Sequence, residues 1–87
     1  MSRLVRIVFD PHAVERAGER GANRSEVEIA VASGERFAAK FGRAGFRRTF
    51  PYNAKWRGRH YLTKQVEVYA VPQGGGWLVV TVLVKYF

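Results

Sequence analysis

The chain has 87 residues, no cysteine and a net charge of +8. That length holds one core and one domain, and the missing cysteines exclude disulfide staples and thiolate metal sites. With 47% hydrophobic and 25% charged residues, the composition is that of a globular chain and not a disordered one. No run reaches the roughly 18 apolar residues of a membrane span. The apolar start carries Arg3 and Arg6, so no secretory leader is expected and the predicted setting is cytoplasmic. His12 and His60 are too few for a metal site, and neither a metal nor a cofactor is predicted.

Leu4 to Phe9 is a short run with β-branched residues and predicts a strand. Asp10-Pro11 stops it and starts a helix, with Asp as N-cap and Pro in the first turn. Gly21 is placed to end that helix. Ala13, Val14, Ala17 and Gly18 share one face of it, and His12, Arg16 and Glu19 lie roughly opposite. Asn23 to Glu26 has the spacing of a capping box for a second helix, which ends at Gly34. Val27, Ala30 and Val31 form its core stripe, with Ile29 and Ala32 on the other side.

After Gly34 the period changes to two. Phe37, Ala39 and Phe41 alternate, Arg43-Ala44-Gly45 is predicted as a turn, and Phe46, Arg48 and Phe50 alternate again. Pro51 to Gly58 is predicted as a connection, Tyr61 to Val71 as a strand, and Pro72 to Gly76 as a loop. Trp77 to Val84 is almost wholly apolar and predicts a central strand buried on both faces. The expected fold is therefore α+β in a single domain, residues 1–87. It has an N-terminal strand, two helices and a three- to four-stranded antiparallel sheet with one face partly free.

The surplus charge is local. Arg36 to Lys64 holds nine cations and no Asp or Glu, which leaves six cations against seven acids elsewhere. Phe37, Phe41, Phe46, Phe50, Tyr52, Trp56 and Tyr61 are threaded through this block. A cationic stretch with stacking rings suits RNA, including a ribosomal surface, or single-stranded nucleic acid better than a membrane. Arg16, Arg43, Arg47, Arg48, Lys55, Trp56, Arg57 and Arg59 are the expected RNA-binding residues. The competing expectation is a solvated face whose cations guard a sheet edge while the rings turn inward.

RNA cleavage without a metal needs a base for the 2′-hydroxyl, an acid for the leaving oxygen and cations for the phosphorane. His12, His60, Lys64 and Tyr86 are the candidate catalytic residues. His12 falls in the first helical turn with Arg16 one turn on. The alternative for that pair is a solvated helix start with Arg16 held by Glu19. His60 sits within Arg57-Gly58-Arg59-His60-Tyr61, the most cationic neighbourhood of the chain, and is otherwise an exposed loop histidine. Lys64 is either an edge lysine or one whose stem is buried and whose ammonium meets a phosphate.

His12-Ala13-x-x-Arg16-x-x-x-Arg20-Gly21, followed by Glu26-Val27, resembles the opening of a family of small bacterial domains of uncharacterised function. Val66-Glu67-Val68-Tyr69, a glycine turn and Val79-Val80-Thr81-Val82 fit its closing strands, so the likeness covers about residues 9–87. That family looks like a relative of the RelE/ParE-type toxins, which pair helices with an antiparallel sheet. The resemblance implies a RelE-like, metal-independent ribonuclease held inactive by a small acidic antitoxin-like partner. Other members of the superfamily poison gyrase instead. Lys85 and Tyr86 loosely resemble the polar C-terminal positions of the nucleases. Ala22-Asn23 replaces the family's usual Ile-Ser, a departure that bears on helix capping rather than chemistry. The alternatives are a non-catalytic nucleic-acid or ribosome-binding module, and a protein-interaction domain whose Ile29 and Ala32 face takes a partner.

Overall fold

The computed structural model describes residues 6–87. Strand β1 (Ile7–Phe9) leads into α1 (Pro11–Glu19) and α2 (Arg24–Ser33), then into β2 (Glu35–Ala38), β3 (Ala44–Trp56), β4 (Arg59–Gln73) and β5 (Gly76–Tyr86). The predicted strand at Leu4 and Val5 lies outside the described residues. Both helix starts follow from the sequence. The Asp10 carboxylate accepts the His12 backbone N–H ahead of Pro11. At α2 the Asn23 side chain accepts the Glu26 N–H, while the Glu26 carboxylate accepts the Asn23 N–H.

The sheet has five strands in the order β1-β5-β4-β3-β2. It is mixed and not purely antiparallel: β2 to β5 form an antiparallel meander, and β1 adds to the outer edge of β5 in parallel. The reason lies in the path of the chain. A meander leaves two unpaired edges. The helices carry the chain across one face of the sheet, α1 over β5 and α2 over β4 and β3, from the β1 edge to the β2 edge.

The hairpins are longer than the local signals suggest. Pro51 to Trp56 is not a connection but the continuation of β3, interrupted by an irregularity between Pro51 and Ala54 where Asn53 has φ 46°. The reversal is instead the two-residue turn Arg57-Gly58, with φ 52° and 82°, the left-handed pair that matches strand twist. Likewise β4 runs through Pro72 to Gln73, and only Gly74-Gly75 turn. The first hairpin turns at Lys40 to Gly42, ahead of Arg43-Ala44-Gly45, because Ala44 and Gly45 already pair with Ala38 and Phe37. Trp77 to Val84 is not buried on both faces: only Val79 and Val82 are fully enclosed there, because just one face carries helices.

The core lies between helices and sheet. Ala13, Ala17, Val27, Ala30 and Val31 meet Phe46, Val66, Val68, Ala70, Val79 and Val82. Val14 and Ile29 stay exposed. On the uncovered face, directly opposed residues form rows across the strands. One row is Phe37, Gly45, Tyr69 and Thr81, and its neighbour is Glu35, Arg47, Glu67 and Leu83. Asn23→Ala removes the cap that starts α2. It is expected to lower stability by about 1 kcal/mol, read as a lower urea midpoint at constant slope. An unchanged midpoint would show that the box contributes nothing.

Candidate nucleic-acid interface

The length of β1 decides where a site can form. It pairs with β5 only as far as Val79, and Asp10 N–H closes the ladder on Val79 O at 3.0 Å. Beyond Val79, α1 and not a strand runs beside β5. Residues spaced four apart on one helix share a face, so His12, Arg16 and Arg20 form a ridge along this edge. With Val80, Thr81 and Leu83 they line a cleft of about 280 Å³, and no Asp or Glu is among its lining residues. The Arg20 guanidinium donates to Val82 O at 2.6 Å, which fixes the ridge against the strand. This engages one of its five N–H donors.

The C-terminal end of α1 is held by three side chains from elsewhere. Arg57 donates to Glu19 O at 3.2 Å, the Tyr86 hydroxyl to Arg20 O at 2.8 Å, and the Lys64 ammonium to Gly21 O. Helix ends leave carbonyls without partners and carry partial negative charge, so two cations and a hydroxyl suit this place. Gly21, at φ 87°, is required twice over: it ends the helix in the left-handed region, and a Cβ would collide with the Tyr86 hydroxyl and Trp56 ring.

Lys64 is 5% exposed and its ammonium lies 2.8 Å from the Glu26 carboxylate. It is thus the buried-stem lysine of the two sequence alternatives, and Glu26 is its partner in the fold. Tyr86 stacks on Trp56 at 5.0 Å and 15°, with Tyr52 and Tyr61 tilted against it at 5.3 and 5.5 Å. Burial, then the neighbouring Tyr52 and Glu26, push its pKa up from 10 to about 12, against the lowering effect of Arg57. A phenol so placed holds its proton and is bound to a backbone carbonyl. Lys64 and Tyr86 therefore shape the site by holding α1.

The remaining cations of the 36–64 block do not converge on one surface. Arg47 and Arg48 take opposite faces, as strand alternation requires. On the open face Arg47 meets Glu35 at 3.1 Å, and its Nε approaches Glu67 at 3.4 Å without hydrogen-bond alignment. Lys85 lies 3.3 Å from the same Glu67. On the helix side Arg48 donates to Ser33 Oγ at 2.6 Å. Lys55, His60 and Arg59 gather at the far end of the β3–β4 hairpin, and Arg43 sits at the opposite end of β3. Arg57 and Trp56 join the α1 end of the ridge through Glu19 and Gly21. His60 is exposed and does not line the His12 cleft. Of the expected residues, the fold gathers Lys64, Tyr86, Trp56 and Arg57 at the end of α1, and brings His12 and Arg16 together along the cleft with Arg20, which the sequence signalled only within the family-like opening motif.

No helix among the described residues is long and apolar enough to cross a membrane. No protein-family model, curated protein or solved structure matches this chain.

Lys64→Met leaves Glu26 without its cation and Gly21 O without its donor. The expected loss is about 3 kcal/mol, and Glu26→Gln in the same chain should recover part of it in a double-mutant cycle. A loss near zero would mean that the pair is dispensable. Tyr86 keeps its proton in the fold at pH values where the unfolded chain releases it. Its contribution is whole below pH 10 and is lost as pH rises through about 12. Tyr86→Phe should make the fall of stability across that window shallower, as followed by chemical unfolding at stepped pH.

Proposed function

We propose that this chain is an RNA-binding protein that grips the sugar-phosphate backbone in the cleft between α1 and the free edge of β5. The observation that carries this reading is the cleft's composition: His12, Arg16 and Arg20 on one wall, strand backbone on the other, and no carboxylate between. Guanidinium groups meet phosphate through two parallel hydrogen bonds. A net charge of +8 draws polyanions towards the molecule from a distance. Arg57 and Trp56 extend the same side past the end of α1, where a cation and a ring together suit a nucleotide.

A second reading, a RelE-like toxin ribonuclease, is favoured by one detail: His12 shares the cleft with Arg16 and Arg20. In that reaction the imidazole takes the 2′-hydroxyl proton and the 2′-oxygen bonds to phosphorus. The bond from phosphorus to the 5′-oxygen breaks, leaving a cyclic phosphate and a 5′-hydroxyl protonated by solvent. The two arginines stabilise the phosphorane. Lys64 and Tyr86, bonded to the end of α1, do not supply the second acid. Binding is therefore the better-supported function, and cleavage rests on His12. An acidic antitoxin-like partner belongs with this second reading.

Binding to an unstructured RNA should weaken with salt at a logarithmic slope of about −2, from two to three phosphate contacts. Arg16→Ala should lower affinity about tenfold and flatten the slope by about 0.7. A flat salt response in the wild type would refute the electrostatic reading. Cleavage, assayed in excess chelator, should fall at least tenfold in His12→Ala. Binding that survives with no cleavage in the wild type would leave the first reading and remove the second.

A further inference from the structure

A second concavity lies on the uncovered face of the sheet and reaches β5 at Thr81. It is a groove of about 560 Å³ built on Phe37, Phe41, Tyr69 and Thr81, with Lys40 and Arg43 at its rim. Its floor is the cross-strand row that begins at Phe37. The Phe37 ring lies over Gly45, where a Cβ would collide with it, and meets Tyr69 edge to face at 5.9 Å. Phe41 stands at its mouth. It is 87% exposed and is held at φ 62°, a conformation that is an outlier for a bulky residue. The Arg43 guanidinium lies over its ring at 5.9 Å. A solvent-facing ring on a constrained turn, beside an aromatic floor and two cations, offers a stacking surface on which no other ring of the described residues lies.

Thr81 lines this groove and also the His12–Arg16–Arg20 cleft. The two hollows therefore meet at the edge of β5, one cationic and one aromatic. Like the cleft, the groove has no Asp or Glu among its lining residues. A polyanion that carries flat rings fits both at once. Resting on the RNA-binding reading above, we propose that the ligand is single-stranded RNA. Its phosphates lie on the α1 ridge, and an unpaired base turns round the β5 edge to stack among Phe37, Phe41 and Tyr69. Bases in a duplex are stacked on each other and present only their edges, so a duplex uses the ridge alone.

The test compares three probes by fluorescence anisotropy and competition: an unstructured homopolymeric RNA, an RNA duplex of equal length, and inorganic polyphosphate. Phe41 is exposed, so Phe41→Ala leaves the core intact. It should weaken binding of the single strand about tenfold while moving the duplex and polyphosphate less than twofold, and Phe41→Trp should restore affinity. Arg16→Ala should weaken all three. If Arg16→Ala acts but Phe41→Ala leaves the single strand unchanged, the groove proposal is overturned and the cleft reading stands. If the wild type binds none of the probes, the cleft reading fails and this proposal with it.

Discussion

The ammonium of Lys64 lies under the corner between the two helices, almost closed to solvent, with Glu26 on one side and the carbonyl of Gly21 on the other. Removing a cation from water costs several kcal/mol unless its partners are well placed, so this corner has little freedom to open. Glu26 also completes the box that starts α2. One carboxylate therefore joins the start of the second helix to the middle of β4, and one ammonium joins β4 to the end of the first. Tyr86 and Arg57 close the same end from β5 and from the long hairpin. The position of α1 against β5, and with it the cleft, depends on this set of contacts.

The rest of the charge divides between structure and surface. Glu67, enclosed on the uncovered face, is matched by Arg47 and Lys85, and Tyr69 donates to it. Burial and that carboxylate raise the Tyr69 pKa, so this ring too stays neutral. Cations so matched carry little long-range potential. Those of the α1 ridge have no carboxylate in their cleft. The contrast separates a short helical ridge from the longest cationic stretch of the chain, part of which is matched by acids on the uncovered face.

Beyond Val79 the outer edge of β5 has no strand partner among the described residues. An unpaired strand edge invites pairing with another chain, and proteins cover such edges with helices, loops or charge. Here α1 covers the edge of β5 beyond Val79 and presents arginines there. On the uncovered face a groove with Phe37, Phe41 and Tyr69 in its lining reaches β5 at Thr81.

Local chemistry was legible from residue order alone. Asp10-Pro11 and Asn23 to Glu26 mark both helix starts, and Val27, Ala30 and Val31 mark the buried stripe, because caps and helical periodicity act within a few residues. The α+β class and the one-sided packing follow from the same signals. Three things were decided only by long-range pairing. The parallel placement of β1 depends on which edge the meander leaves open. The lengths of β3 and β4 depend on cross-strand partners that carry Pro51 and Pro72 through what local turn residues read as loops. The destination of each cation depends on acids and carbonyls far away in the chain, as with Lys64 and Glu26 or Arg47 and Glu67. Composition determines how much charge a chain has. Which charges remain for a ligand is determined by the fold, since a neighbour in space and not in sequence neutralises them.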